Sequence, residues 1–286
     1  VQFVLVGFQL SILLIFAVLA IAKSGSVPTG VAFSWDWFSP AGLPLSAFIA
    51  GLSGSIFAFW GWDTCLTVNE ESKGAAKTPG RAALLTVISI LLTYLIVATA
   101  TQMYAGVGDE GVGLGNEDNA SNVFGELALP ILGSPWHLFL YLAVLASSIA
   151  SLITTFLPSS RTMLGMASYQ ALPPRFASIH PRYLTPSYAT VVAGTVAGLF
   201  YAIMHVLSNN ALTDTIFALG IMICFYYGLT AFACIWFFRR ELFANPSSFV
   251  FKFLFPLLGG LGLFFVLLIT LRDSASPDYG SGASVF

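Results

Sequence analysis

Apolar positions along the chain gather in long continuous runs rather than in stripes of period two or in narrow amphipathic faces. Seven windows are long enough to cross a bilayer core, which takes about 20 apolar residues per helix. They run approximately over residues 1–22, 45–68, 82–104, 135–157, 188–207, 215–238 and 250–271. None alternates as a strand would, so each predicts a spanning α-helix. The fold class expected is an all-α membrane protein with about seven transmembrane helices. Most windows carry no charge in their middle. The second does: "IFAFWGWDTC", residues 56–65, sets Gly61 and Asp63 among four aromatic rings.

That segment lies near the middle of its window. A glycine there weakens a helix by up to about 1 kcal/mol relative to alanine. Backbone that leaves the helix at membrane depth persists only where it lines protein or water. Interrupted helices near the midplane are also how many transporters build a solute site. A carboxylate within a span costs several kcal/mol unless it is paired, solvated or protonated. The pattern therefore predicts unwinding over 57–61, with Phe57, Phe59, Trp60 and Trp62 walling a pocket beside Gly61 and Asp63. The plainer alternative is that Asp63 caps the second half-helix and the rings only pack.

Composition agrees with the windows. The chain has 286 residues, 57% hydrophobic and 8% charged, against about 25% charged in a soluble domain. The net charge of −2 gives no footing for nucleic-acid binding. Cys65, Cys224 and Cys234 lie in apolar runs and read as buried thiols, without a disulfide framework or metal site. His137, His180 and His205 are scattered. Asn119 opens a glycosylation triplet, a pattern common by chance.

Basic residues set the orientation. Lys73, Lys77, Arg81, Arg161, Arg175, Arg182, Arg239, Arg240 and Lys252 fall on one side of the windows, and of the eleven bases only Lys23 and Arg272 fall on the other. The positive-inside rule puts the first group in the cytoplasm, and the N-terminus with it. The loop 105–134 holds Asp109, Glu110, Glu117, Asp118 and Glu126 and no base, so it belongs outside. Its "SNVFGELALPILG" predicts a short helix capped by Ser121 or Asn122, and a folded outer loop of this length suits a lid. Pro158 is expected to bend or end the fourth span. Pro256 with Gly259, Gly260 and Gly262 predicts a bent or flexible, peripheral seventh. Residues 1–273 read as one membrane domain and 274–286 as a polar tail.

"FAFWGWDTCLTVNEESKGAAKTPGRA" resembles the sixth helix and following loop of the amino acid–polyamine–organocation permeases. The matching residues are Phe57, Ala58, Gly61, Asp63, Glu70, Glu71, Lys73, Pro79, Arg81 and Ala82. "ASSIASLITTFLPSSRTMLGMASYQALPPRFASIHPRYLTPSYA" is similar to the eighth helix and its cytoplasmic loop, through Arg161, Leu172, Pro173, His180, Pro181, Arg182, Thr185 and Pro186. The resemblance implies helices five to eleven of a LeuT-type inverted-repeat bundle that lacks its first four helices. It implies secondary transport of an amino acid across the plasma membrane, with an amine or polyamine as the alternative because Asp63 suits a cation. Helix-six carbonyls would hold the substrate amine, and Tyr226 on the tenth helix would close the pocket.

A coupling ion, H+ or Na+, is implied and no other cofactor. Gln9 stands where some proton-coupled relatives carry a lysine. Ser147, Ser148 and Ser151, with Thr154 and Thr155, are the hydroxyls that would complete a sodium site. The plainer reading has them bonding to backbone. Arg161 is either an inner-gate residue or a lipid-phosphate contact. The partners implied are a small solute and membrane lipid. A seven-helix receptor or channel fits the span count, but charge puts the N-terminus inside and Lys252 sits at the edge of the last span. No paired catalytic groups argue for an enzyme.

Overall fold

A computed structural model describes residues 2–67, 74, 77–116, 119, 122–207 and 211–274. Among these every regular element is helical. In chain order they are α1 (Gln2–Ser24), α2 (Leu45–Ala58), α3 (Thr64–Thr67), α4 (Thr78–Ala105), α5 (Val123–Leu132), α6 (His137–Ser168), α7 (Ser187–Leu207), α8 (Ala211–Phe237), α9 (Pro246–Ser248) and α10 (Phe255–Ser274). A π turn, Phe249–Leu254, joins the last two.

Among the described residues six helices, not seven, are long and apolar enough to cross a membrane: α1, α4, α6, α7, Ala218–Phe237 within α8, and Pro246–Arg272 through α9 and α10. The protein is thus a multi-pass membrane protein. The second window is not among them because it is broken into two helical pieces, α2 and α3. Its first helix, α2, has 14 residues and so a length of about 21 Å, short of a hydrocarbon core of about 30 Å.

The chain forms two compact units, Val1–Ser39 with Gly61–Ala193, and Pro40–Trp60 with Gly194–Phe286. In the first, α1 packs against α4, α5 and α6. Ala17, Ala20, Ala100 and Ala128 let the backbones approach, and Phe16, Leu127, Ile131 and Leu140 fill the space between. Phe16 meets Phe124 edge-on at 5.5 Å. The cap of α5 is Asn122, whose side chain accepts from the Gly125 N–H at 3.1 Å; the other candidate, Ser121, lies outside the described residues. At the far end of α5 the Lys23 ammonium donates to the carbonyls of Ile131 (2.7 Å) and Pro130 (3.3 Å), which otherwise lack helical partners.

The connector after α1 runs along the end of α4. Val31 N–H donates to Met103 O at 2.9 Å, and a Cβ at Gly106 would come within 2.6 Å of Thr29 O. The loop after α4 folds back on itself: the Asn116 and Asn119 amides both donate to Gly111 O. Pro158 does not end the fourth span, because α6 runs on to Ser168 with the proline inside it.

In the second unit α2, α8 and α10 pack together. One face of α2, with Ile49 and Ser53 buried one turn apart and Ile56 beyond, meets Cys224 of α8 and Val266 and Leu267 of α10. Glycines set the α8–α10 spacing: a Cβ at Gly228 would come within 2.5 Å of the Phe264 ring, and one at Gly260 within 3.2 Å of Ala231 and Phe232. The last span is therefore a core helix of its unit, and Gly260 serves close packing. The irregular backbone lies upstream, at the π turn. Cys224 is buried as expected, whereas Cys65 and Cys234 are only partly buried.

Candidate functional site

The helix that begins at Leu45 stops at Ala58. Phe59 N–H still reaches Ser55 O at 3.0 Å, but Trp60 N–H turns to Phe57 O three residues back. Residues 59–63 form turns, and helix resumes at Thr64. Thr64 N–H donates to Gly61 O at 3.2 Å and Leu66 N–H to Asp63 O at 2.8 Å, so the second piece also begins on i→i−3 bonds. Gly61 sits at φ +99°, where an L side chain is strained. The chain passes from one compact unit to the other at the Trp60–Gly61 peptide.

Unwinding therefore occurs two residues later than expected. Phe57 and Ala58 remain helical, Phe59 is the C-cap, and Trp60, Gly61, Trp62 and Asp63 occupy the turns. Phe57, Phe59, Trp62 and Asp63 are partly buried, and Trp60 and Gly61 are exposed. The Trp60 indole N–H donates to the Tyr226 hydroxyl of α8. That bond joins two nominated site residues 166 positions apart in the chain. Tyr226 also meets Tyr227 edge-on at 4.4 Å.

Cys65 was not among the nominated residues, yet it braces the break. Its thiol donates to Trp62 O at 3.1 Å and to Pro79 O at 3.5 Å. This ties the resumed helix to the first turn of α4, where Pro79 occupies an N-terminal position that suits a residue without a donor. The sequence signal was the Trp62–Cys65 spacing of three beside a helix start. Of the loop motif, Glu70, Glu71 and Lys73 lie outside the described residues.

The nominated ion-coupling residues lie on two helices that pack together, α1 and α6. These run antiparallel: Gln2 Nε2 donates to Ala150 O at 3.4 Å, and Lys23 at the other end of α1 meets the segment just before α6. Gln9 lies two turns along α1 from Gln2, on the same face. Its amide nitrogen is enclosed and has no hydrogen-bond partner among the described residues. Ser147 lies one turn before Ala150 and Ser151 directly after it. The Ser148, Thr154 and Thr155 hydroxyls donate back to α6 carbonyls, which still leaves their oxygens able to accept. Arg161, in the last third of α6, is partly buried. Among the described residues no group of three His, Cys, Asp or Glu could hold a metal ion.

The chain matches the family described as amino acid permease over residues 1–281. It is 31% identical over 147 residues to proteins of Mycobacterium bovis and Mycobacterium tuberculosis, each named an uncharacterized transporter. The aligned stretch covers 51% of this chain and 32% of each relative. No solved structure matches.

Proposed function

Because the chain belongs to the amino acid permease family, a family of transporters and not of enzymes, we propose that it carries part of the substrate site of a secondary amino acid transporter. The supporting observation is the interruption between α2 and α3. Peptide groups at a helix break leave the regular i→i−4 pattern, and a carbonyl there that already accepts one bond keeps a second lone pair for a polar solute at membrane depth. In this reading carbonyls of residues 57–61 receive the substrate ammonium, and Phe57, Phe59, Trp60 and Trp62 exclude water. Tyr226 holds Trp60 in place. Asp63 balances the positive charge.

Asp63 also favours a second reading, an amine or polyamine substrate, since such a ligand has no carboxylate of its own to balance its charge. Coupling to protons is proposed ahead of coupling to sodium. Asp63 is a carboxylate within the interrupted segment, whereas the Gln9 amide has no group that ionises. The site of action proposed is the plasma membrane, with the N-terminal end of α1 inside.

The test is uptake into proteoliposomes by the protein that contains this chain. Inhibition by free amino acids and not by their decarboxylated amines supports the amino acid reading; the reverse supports the amine. Absence of saturable uptake or inhibition with both classes removes the proposal. Stimulation by an inward proton gradient, undiminished when sodium is replaced by choline, supports proton coupling.

A further inference from the structure

The connector between α8 and α10 combines exposed rings with exposed guanidinium groups. Phe237, Phe243 and Trp236 are 76%, 76% and 70% exposed, and Phe251 and Phe255 are more than half exposed. Arg239 lies over the Trp236 ring at 4.7 Å and donates from Nη1 to Trp236 O at 2.9 Å. Arg240 beside it is also exposed. Glu241 is engaged elsewhere, by an ion pair of 2.6 Å with Lys252, and Lys252 also lies over the Phe238 ring at 4.5 Å. Residues 236–255 thus hold three bases and one acid, a net charge of +2, and among the described residues neither arginine is in an ion pair with an acid.

The segment is a built turn. Glu241 N–H donates to Phe238 O at 2.8 Å and Ala244 N–H to Glu241 O at 3.2 Å, while Asn245 caps α9 through the Ser248 N–H at 2.7 Å. Phe243, Phe249 and Phe253 form a ring cluster with centroids 5.5 to 6.1 Å apart. The flanking segments Ala218–Phe237 and Pro246–Arg272 are long and apolar enough to span a membrane, so residues 238–245 between them lie at the bilayer surface, with Trp236 and Phe237 at the end of a span. Amphipathic rings and basic groups are stable together at that depth. Two planar guanidinium groups beside exposed rings match a phosphodiester whose acyl chains continue into the core.

We propose that Arg239 and Arg240, framed by Trp236 and Phe237, form a binding surface for the headgroup of an anionic phospholipid. The Trp236 ring then lies against the first methylenes of a bound lipid, which makes it a reporter. At about 1 kcal/mol per basic group near a charged leaflet, two arginines enrich such a lipid on the order of tenfold after screening.

The experiment places the protein in phosphatidylcholine nanodiscs that contain equal small fractions of brominated phosphatidylglycerol or brominated phosphatidylcholine, and reads tryptophan quenching. The brominated phosphatidylglycerol should quench more strongly. That excess should fall with added salt, vanish in R239Q/R240Q and in W236F, and persist in R239K/R240K. Quenching by the phosphatidylcholine probe should survive in R239Q/R240Q, which reports intact insertion. Equal quenching by the two lipids in the unaltered protein, an excess insensitive to salt, or an excess that survives R239Q/R240Q would overturn the proposal. If R239Q/R240Q fails to insert, salt sensitivity and W236F decide.

Discussion

Gly61→Ala isolates the helix break from the chemistry around it. A Cβ built at Gly61 meets nothing within 4 Å, so alanine creates no clash. Its effect is conformational. At φ +99° an L residue costs about 1–2 kcal/mol, while in a continuous helix alanine is preferred over glycine by up to about 1 kcal/mol. The two effects act in the same direction. Together they shift the balance from broken to continuous backbone by about 1–3 kcal/mol, or about 5- to 150-fold. Substrate affinity should fall by a comparable factor, measured as the Kd of the purified protein in nanodiscs. Membrane insertion should hold, and thermal stability should fall by no more than the about 1–2 kcal/mol that the broken form loses, because the chain can relax into the continuous helix. Gly61→Asn should retain more affinity than Gly61→Ala, since asparagine tolerates positive φ. Affinity unchanged in Gly61→Ala, or equal loss in both variants, would refute the argument that positive φ at this position serves binding.

Asp63→Asn should reduce uptake at least several-fold with insertion intact, scored by proteoliposome transport against surface-labelled protein; unchanged uptake removes Asp63 from the site. Trp60→Phe and Tyr226→Phe should couple in a double-mutant cycle on substrate affinity, with an interaction energy of about 1 kcal/mol, the net worth of one hydrogen bond; strict additivity would separate the two residues. Gly228→Ala should lower the thermal midpoint in detergent, because its Cβ would press the Phe264 ring at an overpacking cost of about 1–3 kcal/mol. Transport at permissive temperature should survive, so loss of uptake without loss of stability would give Gly228 a role that packing does not explain.

The long spans were legible because an apolar run of bilayer length is decided by the solvent and needs no knowledge of neighbours. The interruption was legible for a related reason: Gly61 and Asp63 both resist placement in a continuous apolar helix. Its position was read two residues early, since Phe57 and Ala58 keep helical bonds until the positive φ at Gly61 turns the chain. The length of α6 was underestimated because a hydropathy window ends at the lipid boundary and a helix does not. Residues 159–168, which include Ser159, Ser160, Arg161, Thr162 and Ser168, carry it on past Pro158. The Trp60–Tyr226 bond and the close fit of Gly228 against Phe264 were not legible. Both depend on which helices lie side by side, and that is set by the sum of many packing contacts, not by any local motif.

The central claim is that the interrupted segment between α2 and α3 grips the substrate. Hydrogen–deuterium exchange of the peptide covering residues 56–67, with and without saturating amino acid, tests it most directly. The account predicts fast exchange at Trp60 to Asp63 in the free protein and clear protection on adding substrate, with α1 and α4 unchanged. Slow exchange through the segment, or exchange indifferent to a substrate that is demonstrably bound, would contradict it.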